Sequence, residues 1–317
     1  MSQTDPAILA AQVKRFARGL GFDLVGIAPA GPSRHRDYFR TWLDAGRAGT
    51  MHYLAERFDE RVDPAMYLPG ARSVVCVAVN YHVQPGAPPT GAVGRVARYA
   101  RGLDYHEWVK PKLYAIADWL RDMAPGTQTV CGVDTAPVLE RELAAAAGIG
   151  WVGKNTLLLN ERIGSWLLLG EVITTLDLPT DPPGVDRCGT CTRCIDACPT
   201  RAIDAPYQLN AARCISYLTI EHAGEIEHTL QSLMGDWIFG CDICQDVCPF
   251  NGRAPIAELA ELQPRVPPAI GLDAIDRWQK DDFDRTFRRT AVKRIRLPVL
   301  KRNAAIARAN QHGDPAP

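Results

Sequence analysis

Eight of the ten cysteines in this 317-residue chain lie in one short segment, between Cys188 and Cys248. Residues 188–199 read Cys-Gly-Thr-Cys-Thr-Arg-Cys-Ile-Asp-Ala-Cys-Pro, which fits the spacing C-x2-C-x2-C-x3-C-P. Three thiolates spaced in this way wrap one cube of iron and sulfide, and the fourth binds a second cube. Metal binding therefore constrains this segment more strongly than any hydrophobic pattern does.

A second run, at residues 241–249, repeats the pattern without its leading cysteine, and Cys214 is the simplest source of the missing ligand. The fourth cysteine of a run ligates the other cluster in two-cluster proteins, so the spacing predicts two crossed sets. Cluster one takes Cys188, Cys191, Cys194 and Cys248, and cluster two takes Cys198, Cys214, Cys241 and Cys244.

Zinc is the alternative metal, because four-cysteine zinc sites also use C-x2-C pairs. Zinc needs only two separated pairs, whereas C-x2-C-x3-C-P occurs twice here, so we predict two [4Fe–4S] clusters. The two remaining cysteines, Cys76 and Cys131, fall in predicted strands, where a free thiol packs as a small apolar group.

Composition and targeting signals narrow the class of protein. Lys and Arg number 36 and Asp and Glu also number 36, which excludes a wholly basic nucleic-acid binder and an acidic disordered chain. Residues 1–21 predict an amphipathic helix rather than a signal peptide, and nowhere do 18 apolar residues run consecutively. We therefore expect a cytoplasmic protein without a membrane span, in which clustered thiols bind metal.

Helical and strand patterns alternate before the cysteines, which predicts an α+β fold. A Pro- and Gly-rich segment at 179–185 predicts a linker, and the region after the cysteines is helical with a basic end. We expect three domains, at 1–180, 181–253 and 254–317. The predicted strands are 23–28, 73–81, 127–133 and 165–176, and the predicted helices are 34–48, 104–123 and 137–147.

The acceptor of the electrons should lie beside an ionisable group in the first region. Asp134 follows a predicted strand and precedes a helix, so its carboxylate either caps backbone N–H groups or serves as an acid. Glycines 148, 150 and 153 follow a helix rather than a strand, which excludes a dinucleotide fingerprint. Asp104 and His106 begin an Asp-x-His-x-x-Gly cobalamin motif, but Val109 occupies its glycine position, so the match carries no weight.

Several segments together resemble the epoxyqueuosine reductases, and the resemblance covers nearly the whole chain. The segments are 57–62, 98–106, 133–137, 150–155, 188–200, 213–219, 240–249 and 301–304. The resemblance implies a cobalamin held base-off, without a histidine ligand, in a domain similar to flavin nitroreductases and reductive dehalogenases. It further implies reduction of epoxyqueuosine at the tRNA wobble position to queuosine and water, with electrons relayed through both clusters.

The resemblance also assigns site residues, with Asp134 matching the family's proton donor. Opening an epoxide leaves an alkoxide that a nearby acid must protonate. We expect burial beside the apolar corrin to raise the pKa of Asp134 for this role. The residues expected to contact cobalamin, with Asp134 among them, are Arg57, Ala97, Leu158, Leu169, Ser216 and Asp242.

Between residues 285 and 310 there are nine basic residues and no acid, directly after an acidic stretch. Such a run is either a solvated face or a surface for phosphate, and the resemblance favours contact with a tRNA anticodon stem-loop. The expected RNA contacts are Arg285, Arg289, Lys293, Arg294, Arg296, Lys301 and Arg302.

An external electron donor, such as a flavodoxin or ferredoxin, is the second expected partner. A reductive dehalogenase is the alternative enzyme, since it also uses cobalamin and two clusters, although it usually carries an export signal. A ferredoxin-like carrier and a zinc-dependent RNA-binding protein are the non-enzyme alternatives, for which the whole first region would be superfluous.

Overall fold

The structure is a computed structural model that describes residues 5–84, 86 and 90–312. The first four residues of the predicted N-terminal helix, part of the loop at 84–94 and the last five residues of the basic region lie outside these ranges.

Helices and short helical turns account for much of the chain, and nine strands lie between them in the part that the structure describes. The helices are α1 (Pro6–Gly19), α2 (Arg36–Asp44), α3 (Tyr53–Glu56), α4 (Phe58–Val62), α5 (Pro64–Tyr67), α6 (Tyr105–Met123), α7 (Glu140–Ala146), α8 (Arg193–Asp196), α9 (Ile215–Ile220), α10 (His228–Gln231), α11 (Ile243–Asp246), α12 (Leu272–Arg277), α13 (Lys280–Thr286) and α14 (Leu297–His312). The strands are β1 (Leu24–Pro29), β2 (Ser73–Asn80), β3 (Val93–Val96), β4 (Thr129–Gly132), β5 (Trp151–Val152), β6 (Leu158–Leu159), β7 (Leu167–Thr174), β8 (Trp237–Phe239) and β9 (Ala269–Gly271).

The main sheet is antiparallel throughout, with strand order β1, β2, β7, β4. Every residue of β2 is buried, because both faces of this central strand are covered. Val75, Val77 and Val79 face a core shared with α1 and α6, whereas Val74 and Cys76 face a core shared with α7. Successive side chains of a strand point to opposite faces, which explains the uninterrupted apolar run.

The four strands predicted in this region are confirmed to within a few residues, and so are its helices. Helix α6 begins where its sequence predicts, because the Asp104 side chain caps it by accepting from the backbone N–H of His106 at 3.1 Å. Cys76 is confirmed as a core residue, and the half-buried Cys131 packs at the edge of the same sheet.

A second sheet, of order β8, β3, β9, takes one strand from each of the three predicted domains. Strand β3 pairs in parallel with β8 and antiparallel with β9. Phe239 of β8 packs there with Phe283 and Phe287, so the C-terminal helices share its core. The three regions are therefore joined by a shared sheet and a shared core as well as by the chain itself.

The predicted linker at 179–185 has no regular secondary structure, but it is not a free connector. Asp181 accepts a hydrogen bond from Lys14 at 2.6 Å and another from the backbone N–H of Ile27 at 2.8 Å. The backbone N–H of Gly184 donates to the Ala145 carbonyl at 2.9 Å. These contacts hold the segment against α1, β1 and α7. Among the described residues, no helix combines the length and the apolar character needed to cross a lipid bilayer.

Candidate active site and cluster cavities

The eight clustered cysteines border two separate cavities, called here the small and the large cavity. The small cavity, of about 280 Å³, is lined by Cys188, Cys191, Cys194 and Cys248. The large cavity, of about 380 Å³, is lined by Cys198, Cys214, Cys241 and Cys244. The small cavity therefore takes three thiols from the first run and one from the second, and the large cavity takes two from the second run, one from the first and Cys214, which is the arrangement that crossed ligation requires.

Two short helices of matching form produce this crossing. Helix α8 lies between Cys191 and Cys198, helix α11 lies between Cys241 and Cys248, and the two helices pack together. A proline follows the last cysteine of each run and prevents the helix from continuing. Among the described residues, no three His, Cys, Asp or Glu side chains converge on a point where one metal ion would sit. The thiols instead line cavities, and a cubic cluster of iron and sulfide needs a cavity rather than a single point.

The segment 150–155 forms one wall of the small cavity. Lys154 is buried, and its ammonium group donates to the carbonyls of Gly189 at 2.6 Å and Cys191 at 3.0 Å. The indole N–H of Trp151 lies 3.5 Å from the Cys188 sulfur. Asn155 lines both cavities, and its side-chain nitrogen is buried without a hydrogen-bond partner among the described residues. In the sequence this segment stands out only as part of the family resemblance, although in the structure it contacts and supports the first cysteine loop.

A buried polar network joins the first region to the second cysteine run. Gln245 accepts from the hydroxyl of Ser165 at 2.9 Å, and the Asn251 side chain donates to that hydroxyl at 2.9 Å. Asp242 is buried and is held by Arg98, yet its second oxygen has no hydrogen-bond partner in the described part of the chain. Burial raises the pKa of Asp242, and the charge of Arg98 opposes that shift.

The large cavity lies between the main sheet and the cysteines. Of the residues predicted to contact a cofactor, Asp134, Leu158, Leu169, Ser216 and Asp242 line it. The remaining wall is largely aromatic and aliphatic, formed by Tyr81, Tyr99, Tyr105, Leu157, Leu167 and Leu168. Five predicted contacts that are distant in sequence therefore meet around one volume.

Two predicted cofactor contacts are not among the residues that line this cavity. Arg57 is exposed, pairs with Glu60 and lies 5.0 Å from the centre of the Tyr67 ring. Ala97 is buried, and its backbone N–H donates to the Phe239 carbonyl at 2.9 Å. The structure thus uses both residues in local contacts beside the site.

Asp134 lies on the loop between β4 and α7, with a positive φ of 49°. Its side chain faces Tyr105 and His106 at the start of α6, and Nε2 of His106 lies 3.5 Å from its Oδ2 atom. In this structure the pKa of Asp134 is shifted in the direction opposite to the one expected beside a corrin. Partial burial acts to raise the pKa, but the contacts from His106 and Tyr105 outweigh it, and the pKa is lowered.

His106 is the residue of this site that sequence reasoning missed. Its Nδ1 atom lies 2.8 Å from Oδ1 of Asp104, so the imidazole stands between two carboxylates. The contact with Asp104, reinforced by Asp134, raises the pKa of His106 to about 9 against the effect of burial. Its signals in the sequence are the Asp-x-His pattern and its place at the end of segment 98–106. The first is weak, because Val109 stands where the cobalamin motif requires glycine.

In the folded protein, ion pairs neutralise several of the basic side chains between residues 285 and 310. Arg285 pairs with Asp282 at 2.6 Å, Arg289 pairs with Glu107 at 2.6 Å, and Lys293 pairs with Asp284. The acidic stretch that precedes the basic run folds back against it. Most of the segregated charge is therefore neutralised locally.

The other predicted RNA contacts differ in how free their charged groups are. Arg294 pairs with Glu221 at 2.8 Å, Lys301 donates to the Asp276 carbonyl at 2.9 Å, and Arg296 is exposed. Arg302 is turned inward, where its guanidinium donates to the carbonyls of Leu218 and His222, both at 2.7 Å. Arg302 thus ties α14 to α9 and has few donors left for phosphate.

Comparison with known proteins points to one family. Residues 187–251 match the family described as a 4Fe-4S double cluster binding domain, and residues 61–135 match the one described as epoxyqueuosine reductase QueG, DUF1730. An epoxyqueuosine reductase of Gloeobacter violaceus is 42% identical over 308 residues, covering 94% of this chain and 95% of its own. One of Pseudomonas aeruginosa is 38% identical, covering 98% and 88%.

Solved structures agree with these relatives. Epoxyqueuosine reductase from Bacillus subtilis, with its aspartate-bearing catalytic loop swung out of the active site, superposes with a TM-score of 0.89 at 30% identity. An epoxyqueuosine reductase with an epoxyqueuosine-modified tRNA-Tyr stem loop superposes with a TM-score of 0.88 at 30% identity. Both matches cover 96% of this chain and 82% of the other chain. This chain belongs to the epoxyqueuosine reductase family, and it carries the two-cluster [4Fe–4S] domain.

Proposed function

We propose that this protein reduces epoxyqueuosine to queuosine at the wobble position of tRNA anticodons and releases the epoxide oxygen as water. One observation carries the proposal, namely that Asp134 and the cluster-two cysteines line the same cavity of about 380 Å³. A source of single electrons and a proton-carrying carboxyl group thereby face each other across one volume. Family membership names the substrate that this pairing suits.

Cobalamin is the proposed second cofactor, held base-off by the first region, 1–180, in a nitroreductase-like domain. The large cavity fits it in two respects: its aliphatic wall suits the face of a corrin, and Asp242 and Asn155 each contribute a buried polar atom without a partner among the described residues. The rim of a corrin carries amide groups that both donate and accept hydrogen bonds, so it would satisfy both atoms. Bound cobalamin would supply a reduced cobalt centre that passes electrons to an epoxide carbon.

The region 181–253 would relay the electrons in single steps. The cysteines of the large cavity would hold cluster two, and those of the small cavity would hold cluster one. We expect an external one-electron donor, such as a flavodoxin or ferredoxin, to deliver electrons to cluster one. Lys154 would stabilise the negative charge of that cluster and its thiolates from nearby.

The substrate would be an anticodon stem-loop of tRNA, whose unpaired wobble base can be splayed into the cavity, and the reaction would take place in the cytoplasm. The region 254–317 would contact phosphates through Arg285, Arg289, Lys293, Arg294, Arg296 and Lys301. Among these, the charge of Arg294 acts to lower the pKa of Asp134, which supports a role for Arg294 near the site. Arg302 is left out because its guanidinium serves backbone carbonyls.

The test is anaerobic incubation of the cluster-loaded protein with cobalamin, a chemical reductant and tRNA that contains epoxyqueuosine. Mass analysis of the digested nucleosides should show loss of one oxygen from epoxyqueuosine. Omission of cobalamin is the control for direct reduction by the clusters. If epoxyqueuosine survives unchanged although iron analysis finds both clusters loaded, the proposed activity is wrong.

A further inference from the structure

Removal of an epoxide oxygen as water consumes two electrons and two protons. Given the proposed function, the clusters account for the electrons, but the Asp134 carboxyl group carries at most one proton. Its lowered pKa leaves it mostly ionised near neutral pH. A neighbouring group that holds a proton at neutral pH would let this carboxyl group act as a donor all the same.

The group directly behind Asp134 is His106. Nε2 of this imidazole is buried, has no hydrogen-bond partner among the described residues and lies 3.5 Å from Oδ2 of Asp134. That separation is an ion-pair contact, and catalytic contacts of this kind commonly shorten when substrate binds. On the other side of the ring, Nδ1 lies 2.8 Å from Oδ1 of Asp104. The three side chains form one continuous line that ends at the cavity.

The orientation of the ring is fixed from two directions. Asp104 is anchored as the cap of α6, and its Oδ1 atom also accepts from the backbone N–H of His106 at 3.1 Å. The Tyr105 ring stacks on the imidazole, with centroids 4.2 Å apart and planes inclined by 27°. Because Nδ1–H is engaged by Asp104, the second proton of an imidazolium resides on Nε2, which faces Asp134.

We propose that His106 is the proton relay that reloads Asp134, and that Asp104 positions it. Nε2–H passes one proton to Oδ2 of Asp134, Asp134 passes it to the leaving oxygen, and the second proton comes from solvent. Both carbon–oxygen bonds of the epoxide break, a carbon–carbon double bond forms with the two electrons from the clusters, and water leaves. Because Nε2 itself is buried, solvent reloads it between turnovers through Asp134, whose side chain is 46% exposed.

The charges around the ring support this role. The pKa of His106 is about 9, raised first by Asp104 and then by Asp134, so the imidazole is protonated at neutral pH. Glu140 of α7 lies near the backbone N–H of Asp134, which acts to lower the raised pKa of Glu140. The groups that face the relay are Asp104, Tyr105, Asp134, Glu140 and, through Asp134, Tyr99 and Arg294.

The first test compares His106→Gln with wild type across the pH range. Wild-type kcat should fall as pH rises through about 9, since the raised pKa sets where the relay loses its proton. The variant should be slower by about 10²-fold, should lack this alkaline limb, and should regain part of its rate with added imidazole. His228→Gln, on the exposed side of α10, is the matched control and should keep the wild-type profile. A His106→Gln enzyme with the wild-type rate and alkaline limb would overturn the proposal.

The second test does not depend on activity or on the folding of a variant. Hydrogen–deuterium exchange at the imidazole C2 position, read by mass spectrometry on the cluster-loaded wild-type protein, reports the pKa of His106. The value should be about 9, and it should fall in Asp104→Asn. A wild-type value near the 6.5 of an unperturbed histidine, at about 6 to 7, refutes the relay. If instead wild type fails to reduce epoxyqueuosine, the proposed function is wrong, and the exchange result still reports the ion pair by itself.

Discussion

Asp242 accepts two hydrogen bonds from Arg98, one from its backbone N–H at 2.9 Å and one from its guanidinium at 3.1 Å. The two residues are 144 positions apart, and Asp242 lies between two cysteines of cluster two. The pair therefore joins the second cysteine run directly to the turn that follows β3. This contact fixes the start of the second cysteine run against that turn.

Arg98→Met should lower the free energy of unfolding by about 3 to 5 kcal/mol, because it leaves the buried Asp242 without its cation. Denaturant unfolding under anaerobic conditions measures the change. Arg72→Met removes an exposed pair with Asp177 and should cost less than about 1 kcal/mol. Equal destabilisation in the two variants would show that the buried pair is not a main link between the regions.

Double cysteine variants distinguish crossed from sequential ligation. Cys198→Ala with Cys241→Ala removes two thiols from the large cavity, so about four irons per chain should remain in cluster one. Cys191→Ala with Cys198→Ala removes one thiol from each cavity and should damage both clusters. Iron analysis and electron paramagnetic resonance report both outcomes. Sequential ligation predicts the reverse result for the two variants.

Asp134→Asn should keep the fold and the cofactors but lower turnover by about 10² to 10⁴-fold, because an amide carries no transferable proton. Asparagine tolerates a positive φ better than most residues, so the backbone of the loop at 49° should persist. Cobalamin affinity and iron content serve as the controls for folding. Undiminished turnover in this variant would exclude Asp134 as the proton donor.

Arg296→Ala should weaken tRNA binding more than Arg289→Ala does. Glu107 already neutralises Arg289, whereas no carboxylate among the described residues pairs with Arg296. Removing one bond to a phosphate should reduce the slope of log affinity against log salt by about one unit. Binding titrations at several salt concentrations measure both effects. An unchanged slope in Arg296→Ala would make this residue part of a solvated face.

Short-range patterns predicted much of this protein. The cysteine spacing predicted which thiols meet, because ligands two residues apart can approach one cluster only in a tight turn. The apolar run of β2 predicted a central strand, and Asp104 marked the start of α6. In each case the signal lies within a few residues along the chain.

Other features depend on interactions between distant segments. The lowering of the Asp134 pKa was not foreseen because its partners, Tyr105 and His106, lie on another element. The basic run resembles a patch because sequence does not reveal that Asp282 and Asp284 fold back onto it. Arg302 has the composition of a phosphate ligand but bonds backbone carbonyls of α9 and the turn after it.

The exchange of one thiol between the two cysteine runs has a consequence for how the protein matures. The small cavity lacks a ligand until Cys248 arrives, and the large cavity lacks one until Cys198 arrives. Neither site has all four ligands until the two cysteine runs have packed together. A protein that delivers iron and sulfide therefore meets two incomplete sites, which are completed at the same time. Oxidative destruction of one cluster would likewise loosen a run that carries one ligand of its neighbour, so the neighbouring cluster should become more labile.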